Sequence, residues 1–108
     1  MARVPFRDLV AAHLISHYPA PLGWTIQRDL LLESGSEVHF LVGRDQELTL
    51  VHCKQDRGSV LFDQVDLAAA LAAEAGAVAS ILFVPIGSYM PPIILEYASR
   101  QRVRIEAL

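Results

Sequence analysis

The sequence has a single cysteine, Cys53, so no disulfide can close within the chain, and a reducing cytoplasm is the simplest expected location. It has no apolar run near the roughly 18 residues of a membrane span, so no membrane partner is expected. The opening MARVPFRDLV leads into an amphipathic pattern rather than the apolar block of a signal peptide. Positive charge is not in excess: nine Lys and Arg face twelve Asp and Glu, a net charge of -3. That balance argues against a stand-alone, high-affinity nucleic-acid binder with a basic footprint, though not against an enzyme that touches DNA locally. No glycine-rich phosphate loop follows a strand, and there is no internal repeat, low-complexity tract or linker.

What is present is apolar. Hydrophobic residues make up 53% of the 108, enough for one domain spanning residues 1–108 with a sizeable core. From Pro5 to about Tyr18, Phe6, Leu9, Val10, His13, Leu14 and His17 recur at helical spacing, and Pro19 and Pro21 stop the run. His13 and His17 share a face at a metal-ligand spacing; the plainer reading makes them boundary residues of that helix. Trp24–Leu32 favours a strand, and Glu33–Ser36 is a break of small residues. Strands follow at Glu37–Val42 and Leu48–Lys54, with Gly43–Gln46 as the turn. An alanine-rich helix runs over Leu61–Ala75 and stops at Gly76. Val78–Val84 is a continuous apolar strand of the buried parallel kind. Pro91 and Pro92 open a last helix, to about Arg102, and Val103–Ala107 forms a closing strand. This order implies an α/β fold of three α-β-α layers, with a mixed central sheet between helices.

The chemistry concentrates on the hairpin from Glu37 to Lys54. Side chains alternate along a strand, so the turn decides which residues meet. A turn over Gly43–Gln46 pairs Val42 with Glu47 and sets Glu37 opposite His52, which brings Glu37, His52 and Lys54 to one face. The same pattern puts Val38, Phe40 and Val51 on one side and Leu41, Leu48 and Leu50 on the other. An acid on one strand and a ligand-x-lysine on its partner is an arrangement able to hold a divalent metal and a scissile phosphate.

Gly35-Ser36-Glu37-Val38 resembles the Gly-Ile-Asp-Val of the restriction-endonuclease-like PD-(D/E)XK nucleases, and Val51-His52-Cys53-Lys54 resembles their Val-Gln-Cys-Lys. The resemblance is strongest to Mrr-type endonuclease domains, with archaeal-type junction resolvases as relatives, and it covers nearly the whole chain. It extends to the alanine-rich helix, the apolar strand, the Gly87-Ser88-Tyr89 loop and the Tyr97-Ala98 helix. It implies the restriction-endonuclease-like fold and a metal-dependent DNA endonuclease. Carried over, Glu37 and His52 are the metal ligands, and the backbone carbonyl of Cys53, between ligand and lysine, completes the metal's inner shell. Lys54 orients the attacking water and steadies charge on the phosphate, while the metal lowers the water's pKa.

Three positions depart from that pattern. Glu37 stands where the family has Asp, and His52 where it has Glu or Gln; Arg7 follows Phe6 where Mrr-type domains often carry Glu. Magnesium prefers oxygen ligands, so imidazole at position 52 moves the expected cation from magnesium toward manganese or another transition metal. Two functions are therefore expected from the sequence: a metal-dependent endonuclease acting on DNA, or a catalytically inactive module of the same fold used for binding or homo-oligomeric assembly. The Cys53 thiol reads as a core group rather than a nucleophile. Met90–Leu95 carries more apolar side chains than a short helix buries in a small domain, and a homodimer is expected through this helix or the alanine-rich one.

Overall fold

Leu41, Leu50, Val51, Leu82 and Phe83 are buried at the centre of a five-stranded mixed sheet with helices on both faces. The computed structural model describes residues 4–108. Its strands are β1 Thr25–Leu31, β2 Glu37–Arg44, β3 Glu47–Cys53, β4 Ala79–Val84 and β5 Val103–Ala107, in spatial order β1-β2-β3-β4-β5. The first three strands pair antiparallel; β3, β4 and β5 pair parallel. Helix α1, Phe6–His17, packs Val10 and Leu14 on one face, against Phe40, Val42, Val51, Cys53, Ile81 and Phe83. Helices α2, Phe62–Ala75, and α3, Pro92–Arg100, cover the other face.

The helices begin and end where local chemistry requires. Pro92 opens α3 at a position where its missing N–H has no partner to lose. Gln64 reaches back from α2 to the Leu61 N–H (2.9 Å). Gly76 closes α2 with φ 73°, a conformation glycine adopts without Cβ strain. Small side chains let α2 lie close to the sheet, near enough for the buried Ser80 hydroxyl to donate to the Ala68 carbonyl (2.9 Å).

The hairpin register differs from the sequence expectation. Val42 pairs with Thr49 rather than Glu47, and Arg44 pairs with Glu47 as the last rung. The turn is two residues long, Asp45 and Gln46, both with positive φ (53° and 68°). Such a turn has the twist that two antiparallel strands need. Gly43, assigned to the turn by sequence, lies inside β2 and pairs with Leu48, whose side chain would stand 2.7 Å from a Cβ there. The shift by two residues puts His39, not Glu37, opposite His52.

The expected face pattern also changes along β2. Phe40 and Val42 pack toward α1, yet Val38 packs with Leu41, Leu50 and Leu71 on the α2 side. Strand β1 makes the same switch, with Ile26 on the α1 side and Leu30 on the α2 side. The cause is Asp29, whose φ of 56° interrupts the alternation between Arg28↔Phe40 and Leu30↔Val38. By strand alternation Glu37 then points away from the α2 side, whereas His52 and Lys54, flanking the α1-facing Cys53, point toward it.

Candidate functional site

Beyond Phe40↔Val51 the ladder between β2 and β3 stops, and two imidazoles fill the opening. His39 and His52 stack with ring centroids 4.3 Å apart and planes 11° from parallel. The Cys53 N–H, without a β2 carbonyl, donates to His39 Nδ1 (2.9 Å). An accepting Nδ1 means that neutral His39 carries its proton on Nε2. Burial, then the neighbouring His52 and Arg7, pushes the His39 pKa down to about 4. Burial, then Arg7, lowers that of His52. The His52 Nδ1 is buried without a hydrogen-bond partner.

Lys54 follows directly on β3. Its backbone N–H donates to the Phe83 carbonyl (2.8 Å), which fixes it beside β4. Its side chain is only 3% exposed, and Nζ donates to the Asp56 backbone carbonyl and to Asp56 Oδ1 (3.1 Å). A buried ammonium requires such a partner. Asp56 lies at the solvent edge, and the hydrogen bond from Lys54 holds its carboxyl below the usual range.

Of the residues singled out in the sequence, His52, Cys53 and Lys54 stand together at the end of β3, and Glu37 opens β2. Glu37 is exposed and pairs with Leu31 of β1. The Cys53 thiol faces the α1 core, and burial pushes its pKa up to about 12, so it stays protonated. Arg7, at the start of α1, pairs with Asp29 (3.7 Å). His13 and His17 stack at 3.9 Å on α1, where His17 Nδ1 bonds the His13 carbonyl (2.9 Å). Sequence reasoning missed His39 and Asp56. His39 was legible only through the register, and Asp56 only through its place two residues after the lysine.

The donor set decides whether a divalent metal fits. Among the described residues, no three His, Cys, Asp or Glu side chains are grouped so as to hold one. Magnesium requires oxygen ligands. The carboxylate beside Lys54 belongs to Asp56, which the lysine already engages, and the residue facing His52 is another neutral imidazole. These residues do not fit a magnesium ion.

The mixed five-stranded sheet and the three helices give a restriction-endonuclease-like α/β fold, which solved structures share. The chain resembles a repair endonuclease from Pyrococcus abyssi at a TM-score of 0.59 and 16% identity, over 100% of this chain and 48% of that one. It resembles EndoMS, solved in complex with double-stranded DNA, at a TM-score of 0.60 and 17% identity, over 100% and 46%. It also resembles Pyrococcus furiosus SfsA, solved with Ca2+, at a TM-score of 0.56 and 16% identity, over 95% and 56%. The chain thus spans about half the length of these structures. No protein-family model matches the sequence, and no curated protein matches it significantly. Among the described residues, no helix is long and apolar enough to cross a membrane.

Proposed function

We propose that this chain is a nuclease-fold module that does not hydrolyse DNA with magnesium and acts through binding and homo-oligomeric assembly. One observation carries the reading: at the ligand position before Lys54 stands His52, a neutral imidazole stacked on a second one, His39. The lysine is committed to Asp56, and Glu37 lies beyond the kink. Supercoiled DNA incubated with magnesium or manganese should show no cleavage above that of Lys54→Ala. Metal-dependent cleavage that is lost in Lys54→Ala would overturn the reading.

A second reading, a metal-dependent DNA endonuclease-like hydrolase of Mrr type with a variant motif, draws on one feature. His52 Nδ1 is buried with no partner, a nitrogen able to take a transition metal. Calorimetric titration separates the two: stoichiometric manganese or zinc binding that disappears in His52→Ala favours the hydrolase.

The assembly surface in this proposal lies at the start of α2 and α3. Leu61, Phe62, Ile86, Tyr89 and Ile93 are all exposed there. Their segments are tied by the Ser59↔Tyr89 bridge and by the Val60 N–H donating to the Tyr89 carbonyl (2.9 Å). Exposed apolar side chains gathered in this way mark an interaction surface. Light scattering should give twice the 11.9 kDa chain mass at micromolar concentration, and Ile93→Asp should return it to the monomer. A monomer mass for the unmodified chain counts against assembly.

A further inference from the structure

A second concave surface lies far from Lys54. It is an open groove of about 650 Å³ where β3, β4 and β5 begin, whereas Lys54 stands at the other end of β3. The volume is within the range of small-molecule sites, about 300–1,000 Å³. Tyr18 and Trp24 form an aromatic wall, their rings edge-to-face at 4.8 Å. Thr49 and Ser99 supply hydroxyls, and Arg102 and Arg104 supply positive charge. No Asp or Glu lines the groove, on a chain where acids outnumber bases.

The two arginines are not equivalent. Arg104 is held by Glu106 (2.7 Å). Arg102 is exposed and takes part in no ion pair among the described residues. Its backbone is left-handed, with φ 57°, fixed where the Ser80 N–H donates to its carbonyl (3.0 Å). Glycine or asparagine is usual at such a position just past a helix end, because a larger side chain is strained there. A strained, unpaired arginine beside an aromatic wall points to a ligand that uses both. The Arg44 guanidinium also lies over the indole, 4.2 Å from the ring centroid.

We infer that this groove binds a nucleoside monophosphate unit, with the base against Tyr18 and Trp24 and the phosphate on Arg102. The two aromatic side chains offer ring surface for a base, and a planar guanidinium suits bidentate contact with phosphate oxygens. The unit is either a free nucleotide or the phosphorylated end of a single strand. The site is separate from the strand end at Lys54 and stands whether or not that end is catalytic.

Trp24 is the single tryptophan of the chain, so its emission reports the groove directly. Titration with deoxyadenosine monophosphate, excited where nucleotides do not absorb, should quench it saturably. Arg102→Gly removes the guanidinium and relieves the backbone strain. It should keep or raise the Tm and weaken binding about tenfold or more, the loss expected for one charged hydrogen-bonding partner. Lys54→Ala should bind as the unmodified chain does. Tighter binding of a 5′-phosphorylated single-stranded oligonucleotide than of the mononucleotide assigns the site to strand ends; equal affinity assigns it to free nucleotides. The inference fails if neither probe quenches saturably, if Arg102→Gly binds as well as the parent, or if pyrophosphate, which has no base, binds as tightly.

Discussion

Phe83→Ala should destabilise the domain by about 3–5 kcal/mol, the range for emptying a buried aromatic site. Phe83 is 1% exposed and lies among Phe40, Val51, Cys53 and Ile81 beneath α1. Its ring meets His13 edge-on, with centroids 5.4 Å apart. No neighbouring side chain is long and flexible enough to fill the gap, because the surrounding positions are branched, aromatic or fixed in strands. Its carbonyl also anchors the Lys54 N–H, so the loss reaches the candidate site. Thermal unfolding should show Tm falling by roughly 12 °C or more for a chain of this size. Leu31→Ala, at an exposed position on edge strand β1, should change stability by no more than about 0.5 kcal/mol. Equal losses in the two variants would mean that Phe83 is not the packing centre described.

Much of this architecture is written in the periodicities. The continuous apolar run of β4, the alanine-rich α2 with Gly76 after it, and the prolines opening α3 each give a local instruction that tertiary packing does not contradict. The mixed sheet follows, because a strand, a helix and a further strand over about thirty residues leave a parallel crossover as the regular connection. The candidate site was less legible. Its composition depends on the hairpin register, and the register depends on an Asp-Gln turn that carries no strong turn signature. Gly43 reads as a turn residue, but it lies in the ladder opposite Leu48, whose side chain packs close over it. Asp29 is harder still. A left-handed aspartate inside a strand reverses the faces of two neighbouring strands, and no periodicity announces it. Lys54 was found because the ligand-x-lysine pattern is local; His39 was not, because its role exists only across strands.

Acid should destabilise this protein through His39, and Asn at that position should remove most of the effect. Unfolded His39 titrates near 6.5, whereas in the fold it does so at about 4. Between those values the unfolded state binds more protons, so stability falls as pH drops through the window and levels off below about pH 4. The full loss is about 3 kcal/mol. The structural cause is specific. A proton arriving on His39 Nδ1 meets the Cys53 N–H, a donor facing a donor, and it places charge against the His52 ring and within the field of Arg7. Asp29 is the one neighbour acting in the opposite direction. The depressed pKa of His52 adds a loss of the same sign. His39→Asn places a carbonyl oxygen where Nδ1 stands, keeps an acceptor for the Cys53 N–H, and does not titrate. Urea unfolding at pH 7 and pH 5 measures the difference: the parent should lose markedly more stability than His39→Asn between the two. Equal losses would show that the imidazole pair is not the acid-sensitive element of the fold.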